Sequence, residues 1–405
     1  MRGLTWATGA TVVAVVLAGC QSSGPAGPRA TGAAPGATTS PGAPASEPGG
    51  TPSPSEVPAP RVTIAPADEA TKVRPDATVT VRAENGRLGA VTVTDDTGAQ
   101  VPGEAAGDVE WRTVPGALKG ATRYTVTVGT VGSDGSTSTR RSTFRTLTPA
   151  ATNRAVLLPG DDWDVGVGMP VIVRFASPVR NRGKVVDALT VTSTPGVTGS
   201  WRWMSDQEVH YRPSTYWPAG AKVSVRAALG GVETSKGVWG KRTVTTAFAV
   251  GAAQVSTVDV ARHTMTVRRN GKVIRTIPVT TGKKGFQTRA GVKVVMSREA
   301  EVNMDAATTG TDPKDPEYYN LQVKWALRLT YSGEFLHAAP WSVRSQGKAN
   351  VSHGCTGMST ANAKWLYDNS KVGDVVEFVR SPRPLEWGNG YTVWNKPYSA
   401  WRSGA

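Results

Sequence analysis

The sequence predicts a mainly β protein: two tandem β-sandwich domains, then a third β-rich domain with one short helix and a C-terminal extension. Three observations carry that reading. From Arg61 onward apolar and polar residues alternate over most of the chain, the period of a half-buried strand. Turn-forming pairs interrupt the alternation at Asn85-Gly86, Asp134-Gly135 and Asn270-Gly271. Only "STANAKWLYDNSK" (359–371) has the spacing and start signal of a helix. A chain of 405 residues also exceeds what one hydrophobic core fills, so several domains are expected.

The first 60 residues stand apart from this pattern. "MRGLTWATGATVVAVVLAGC" sets an arginine before a short apolar run that ends at Cys20. The run is too short to span a bilayer and fits a secretory signal. "LAGC" resembles the bacterial lipoprotein box, which implies a signal peptide over 1–19 and a membrane anchor through lipid on Cys20. The protein is then expected outside the cytoplasm, facing the cell wall. Residues 20–60 hold ten of the 28 prolines and few large apolar side chains, so they cannot offset their own ordering entropy. They read as a disordered spacer with a reach of roughly 35 Å as a coil and about 120 Å if extended.

The first sandwich is placed at 61–149, where "ATVTVRAENG", "AVTVTDDTG" and "RYTVTVGTVG" supply strands. Tyr124, ahead of "TVTV", resembles the corner tyrosine of immunoglobulin-like sandwiches, although no cysteine pair is present for their disulfide. The second is placed at 150–250, with strands in "MPVIVRF", "DALTVTST", "SWRWMSDQEVHYRP", "AKVSVRAAL" and "RTVTTAFAV". Trp201, Trp203 and Trp217 are expected as core and loop anchors, and His210 as structural. The third domain spans 251–380, opening on a hairpin about Asn270-Gly271 that also carries His263, read as structural. In its helix, Ser359 or Thr360 is the expected N-cap, with Trp365 and Leu366 inward. Residues 381–405 carry Trp387, Trp394 and Trp401 at seven-residue spacing. Gly388, Gly390 and Pro397 argue against one continuous helix. A packed extension braced against the third domain is expected.

Lys and Arg number 46 against 31 Asp and Glu, a formal charge of +15 that favours anionic neighbours such as wall polymers. Without a Lys/Arg-rich run, nucleic acid is not expected as a partner. Of the two cysteines, Cys20 is assigned to lipid, which leaves Cys355 unpaired in an oxidising compartment. It lies in "SHGC", where a glycine lets backbone N–H groups approach a substrate. A catalytic cysteine needs a base to take its proton. His353 is two residues away and need not face the thiol, so His337, after the strand-like "YSGEFL", is the better candidate. A zinc site on His337, His353 and Cys355 lacks support from any CxxC or HExxH, and a redox thiol lacks a resolving cysteine. A buried inert cysteine remains open.

His337, fourteen intervening residues, then Ser352-His353-Gly354-Cys355 resembles the signature of the L,D-transpeptidases with a YkuD-type catalytic domain. The similarity continues through "STANAKWLYDNSK" into the tryptophan segment. It implies Cys355 as nucleophile, His337 as base and the Ala338 carbonyl as the group that orients the imidazole. It further implies Gly354 and Cys355 N–H groups as oxyanion donors, Tyr319 beside them, and His353 shaping the site. Met304, Tyr331, Ser332, Gly333, Trp341 and Ser352 match substrate-contacting positions. One departure is Gly357, where the family often has asparagine. The implied reaction joins peptidoglycan stem peptides through a cysteine thioester into 3→3 cross-links, with no cofactor or metal and with β-lactams, carbapenems above all, as covalent inhibitors. An inactive wall-binding scaffold is the alternative of another class. L,D-carboxypeptidase activity or attachment of a protein to the wall would use the same nucleophile.

Overall fold

The computed structural model describes residues 58–404; the apolar run, Cys20 and nearly all of the spacer lie outside them. No helix of the described residues is long and apolar enough to cross a membrane.

The expected mainly β architecture of two immunoglobulin-like units and a third β-rich unit is what the chain adopts. In the first sandwich a four-stranded sheet led by Arg61–Ala65 faces one built on the long hairpin Arg123–Gly132 and Thr137–Thr146. Alternate residues of these strands, among them Val81, Val93, Val126 and Val128, fill the space between the sheets. The Tyr124 hydroxyl accepts the Lys119 N–H at 2.6 Å, five residues upstream, the contact a corner tyrosine makes. Asn85 is left-handed (φ 57°) as expected, yet the strands it joins, Thr80–Glu84 and Gly86–Asp95, belong to different sheets, so it turns a corner rather than a hairpin.

The second sandwich packs the sheet containing Val171–Phe175 and Glu208–Pro213 on the one containing Lys222–Ala227 and Val244–Val250. Trp201 and Trp217 are buried there, and the Trp217 indole N–H donates to the Met169 carbonyl at 2.7 Å. A short helix, Arg182–Asp187, has no sequence signal that announced it. The buried His210 faces Glu208 across 2.6 Å, consistent with a structural part.

The third unit holds a six-stranded and a four-stranded sheet. The larger opens on the hairpin Thr264–Arg269 and Lys272–Pro278. There Asn270 (φ 50°) and Gly271 (φ 78°) take the two positive angles that a type I′ turn requires. Its central strands, Gln254–Asp259 and Val375–Val379, run parallel. The smaller sheet lines up Ser297–Asp305, Asn320–Arg328, Phe335–Ala338 and Thr356–Met358. Helix Thr360–Asn369 lies against it, capped by the Ser359 hydroxyl, which accepts the Asn362 N–H. Leu366 and Ala363 are its buried residues. Trp365 packs against the same core as expected but stays half-buried, with the Arg275 guanidinium 4.5 Å above its ring.

The C-terminal extension does not simply brace the third unit. Arg383–Pro384 adds an edge strand to the larger sheet, and the Asn395 amide bonds Val292 at both its N–H and its carbonyl. The indoles go elsewhere. Trp394 donates to the Gly168 carbonyl and Trp401, fully buried in the short helix Tyr398–Arg402, to the Ser200 carbonyl, both on the second sandwich. The extension is a clamp across two domains.

Candidate active site

Register builds the site. Phe335–Ala338 pairs in parallel with Thr356–Met358, Leu336 opposite Thr356 and His337 opposite Gly357. Extended one residue back, that register sets Cys355 beside Phe335. His337 and Cys355 therefore share a face of the sheet, one step of the two-residue period apart. Both line one pocket of about 180 Å³, with Met304, Tyr319, Trp341, Ser352 and His353 also in its wall.

His337 Nδ1 lies 2.8 Å from the Ala338 carbonyl. A carbonyl only accepts, so Nδ1 carries the hydrogen and Nε2 presents a lone pair. Burial holds this imidazole below its ordinary pKa against the pull of that carbonyl, so the neutral, proton-accepting form dominates at neutral pH. The Cys355 thiol is buried and donates to the Gly333 carbonyl at 3.4 Å. Burial pushes it up to about 12, offset in part by the Phe335 backbone N–H. The resting pair is thiol and neutral imidazole. Such a pair reacts by moving the proton as the sulfur attacks, not from a standing thiolate.

The "SHGC" turn is held from several sides. Ser352 Oγ donates to the Cys355 carbonyl (2.6 Å), and the Thr288 hydroxyl donates to the Gly354 carbonyl (2.6 Å). Gly354 has φ 123°, a conformation L side chains rarely adopt, which explains glycine there. Its N–H donates to Ser352 Oγ at 3.1 Å, so of the two expected oxyanion donors this one is already engaged. Tyr319 stands in the same pocket, its phenol pushed up to about 12 chiefly by burial, and so remains a hydrogen-bond donor at neutral pH. His353 turns away from the thiol chemistry. Its Nε2 meets Glu317 Oε2 at 2.6 Å, Lys283 shares that carboxylate, and its ring is wedged between Phe286 and Tyr319. It acts as a wall, not as a base.

Two expected contacts are displaced. Tyr331 and Ser332 do not line the pocket. The turn they occupy runs outward, with Ser332 N–H donating to Asn389 Oδ1 of the C-terminal extension and Tyr331 half exposed beside Arg174 and Glu208 of the second sandwich. Gly333, the third residue of that turn, reaches the site through its carbonyl alone. At Gly357 a Cβ would stand 2.8 Å from the Ala339 side chain and 3.1 Å from Thr280 Cγ2, so an asparagine would need that wall to shift. Thr280, Leu321, Val323, Ala339, Ser342 and Val351 complete the lining and were not anticipated. The alternation in "NLQVKW", which sets Leu321 and Val323 on one face, was the available signal for those two.

A buried thiol beside a carbonyl-oriented histidine, on paired parallel strands under an apolar cleft, has the parts that a thiol-based acyl-transfer site requires. The comparisons with known proteins give the class its name. Residues 253–378 match the model of the L,D-transpeptidase catalytic domain, and 70–233 match a bacterial Ig domain that runs across both sandwiches. L,D-transpeptidase 2 of Mycobacterium tuberculosis is 38% identical over 347 residues, 85% of this chain and 85% of that protein. L,D-transpeptidase 5 of the same species is 34% identical over 345 residues, 84% of this chain and 75% of its own. A solved L,D-transpeptidase in complex with imipenem is 38% identical, with a TM-score of 0.50 over 56% of this chain and 98% of its own. The chain belongs to the L,D-transpeptidase family, and it is a transpeptidase enzyme with an immunoglobulin-like N-terminal half.

Proposed function

We propose that the protein is a peptidoglycan L,D-transpeptidase that forms 3→3 cross-links through a thioester on Cys355. The observation that carries the reading is the shared pocket face of Cys355 and His337, with Nε2 of the imidazole left as an acceptor. Sγ attacks the carbonyl carbon of the third, diamino-acid residue of a tetrapeptide stem while its proton passes to His337 Nε2. The bond to the terminal D-alanine breaks, that amine leaves with the proton, and a thioester remains. A side-chain amine of a neighbouring stem then attacks the thioester, and its proton returns to sulfur by way of His337. The oxyanion of each step would meet Cys355 N–H and the Tyr319 hydroxyl. A β-lactam carbonyl presents the same electrophile, so carbapenems acylate the same sulfur. A lipid anchor at Cys20 and the spacer to residue 60 would hold this chemistry at the wall side of the membrane.

Intact-mass analysis with a tetrapeptide stem, and separately with imipenem, tests the reading. Wild type should gain the stem mass less D-alanine, and the carbapenem mass, while Cys355→Ala gains neither. His337→Ala should lose acylation by at least about a hundredfold. Near-normal cross-linking by Cys355→Ala would end the proposal, and release of free tripeptide without cross-linked product would make water the acceptor.

A further inference from the structure

A charged cluster that the proposed chemistry does not use lies directly beneath the nucleophile. Glu334 sits between Gly333, whose carbonyl takes the Cys355 S–H, and Phe335, whose N–H faces the same sulfur. Its side chain is 5% exposed. A Cβ on Gly354 would stand 3.8 Å from both Glu334 Cγ and Oε1, so the carboxylate underlies the Gly354–Cys355 backbone. Oε1 accepts from the Arg289 backbone and guanidinium, each at 3.0 Å, and Oε2 binds the Lys293 ammonium. Lys293 is 1% exposed, with Nζ 3.7 Å from the centre of the Phe378 ring.

As a means of holding the sheets together this is a poor choice. Taking each ion out of water is costly, and apolar residues of similar volume often hold a core as well or better. We infer that Glu334 and Lys293 are positioning residues that act on the Cys355 thiol with opposite sign, the carboxylate against its ionisation and the ammonium in favour of it, on top of the larger effect of burial. The inference rests on Cys355 being the nucleophile. The charges facing the sulfur are Glu334 and Lys293 from below and Arg328 from the neighbouring strand; Tyr319 and His337 share its pocket, and Arg289 stands behind Glu334. Glu334 opposes ionisation of the thiol, whereas Lys293 and Arg328 favour it, and of these the carboxylate acts most strongly. A thiol held protonated until a substrate arrives is spared the side reactions of a thiolate outside the cytoplasm.

The two charges predict opposite signs. Burial pushes the Lys293 ammonium down to about 8 even beside its partner, so without Glu334 it would lose its proton near neutral pH. Glu334→Gln should therefore remove both charges, as should the double variant with Lys293→Met, and both should react at one rate. The test is the rate of iodoacetamide alkylation of the Cys355 peptide at a fixed, near-neutral pH, read by mass on the folded full-length protein. So far below the thiol's titration the rate follows the thiolate fraction, about tenfold per unit. Lys293→Met should slow alkylation about tenfold, and Glu334→Gln and the double variant should speed it together. Lys293→Arg should stay near wild type. Changes of reversed sign, a common direction for both single variants, or rates all equal to wild type would overturn the inference. Each single variant tests one sign alone, should the other not fold. Alkylation needs no stem peptide, so failure here is distinct from failure of the transpeptidase reading, which the imipenem adduct tests separately.

Discussion

The two sandwiches share a fold and differ in what they are attached to. The first encloses its own core and meets the second along a seam of side-chain pairs and one close backbone approach, where a Cβ on Gly231 would stand 2.8 Å from the Pro75 and Leu118 carbonyl oxygens. Arg74 reaches Glu233 at 2.9 Å and lies over the Trp239 ring, Lys184 reaches Asp76 at 3.3 Å, and a cleft of about 590 Å³ opens along the seam. The second has no such boundary with the catalytic unit. Val294, Val375 and Tyr391 belong to the same apolar core as Val167, Met169 and Trp217. Gly166 and Gly168 N–H groups bond the Val372 and Gly373 carbonyls, and a Cβ on Gly166 would stand 2.2 Å from Asp374 N. One joint is a surface contact between finished domains, while the other is an interior. The second sandwich is thus part of the body that holds the active site, and the first is a spacer of its own.

The largest effect is expected where the interior joint is closed by the C-terminal extension. Trp401→Ala should cost about 3–5 kcal/mol, read by chemical denaturation, because it empties a fully buried indole site between Ser200 and the extension. Truncation after Arg380 should cost more, and should slow imipenem acylation as well. It removes Asn389, which fixes Ser332 next to the carbonyl that receives the Cys355 thiol. If acylation were untouched while the melting temperature fell, the clamp would be structural only.

A smaller, pH-dependent effect sits in the same joint. Asp374 accepts from Gln254 and the Lys371 N–H, but its Oδ1 is buried without a partner among the described residues, and burial pushes its carboxyl up to about 7. A raised carboxyl pKa means the folded state holds a proton that the unfolded state has released. Stability from this group is therefore full below about pH 4 and is lost as pH rises to about 7. The loss is on the order of a few kcal/mol. Asp374→Asn should flatten that slope, raising the melting temperature at pH 8 relative to wild type and changing it little at pH 4. An unchanged slope would place the pH sensitivity elsewhere.

What the sequence disclosed follows the same division between local and distant. Asn270-Gly271, the Ser359 cap and Tyr124 were legible because each is decided within a few residues by turn angles, capping or a short backbone contact. His337 and Cys355 were legible because a sheet pairing of short segments preserves their spacing. Tyr331 and Ser332 stand off the pocket wall because their turn is aimed by Asn389, fifty-seven residues on from Ser332, which no local pattern discloses. The indoles of Trp394 and Trp401 find carbonyls more than two hundred residues earlier, which seven-residue spacing cannot foretell. Lys293, flanked by valines in "GVKVV", and Glu334, one residue ahead of the apolar "FL" that opens a strand, gave a signal of conflict without naming the partner.

The smallest effect belongs to the surface joint. Arg74 is about half exposed and its pairs with Asp76 and Glu233 lie at the protein surface, where solvent screens the attraction and ordering a long side chain offsets part of it. Arg74→Ala should change global stability by about 1 kcal/mol or less. It also removes the guanidinium from the Trp239 ring and so should loosen the seam without touching either core. The comparison then predicts a separation of readouts. Limited proteolysis should cut faster near Pro149, between the sandwiches, whereas the rate of imipenem acylation at Cys355 stays at the wild-type value. Removal of residues 58–149 altogether should leave that rate equally unchanged, since the core of the second sandwich contains no residue of the first. Slower acylation in either variant would mean that the first sandwich reaches the active site through its neighbour, and the distinction between spacer and catalytic body would fall.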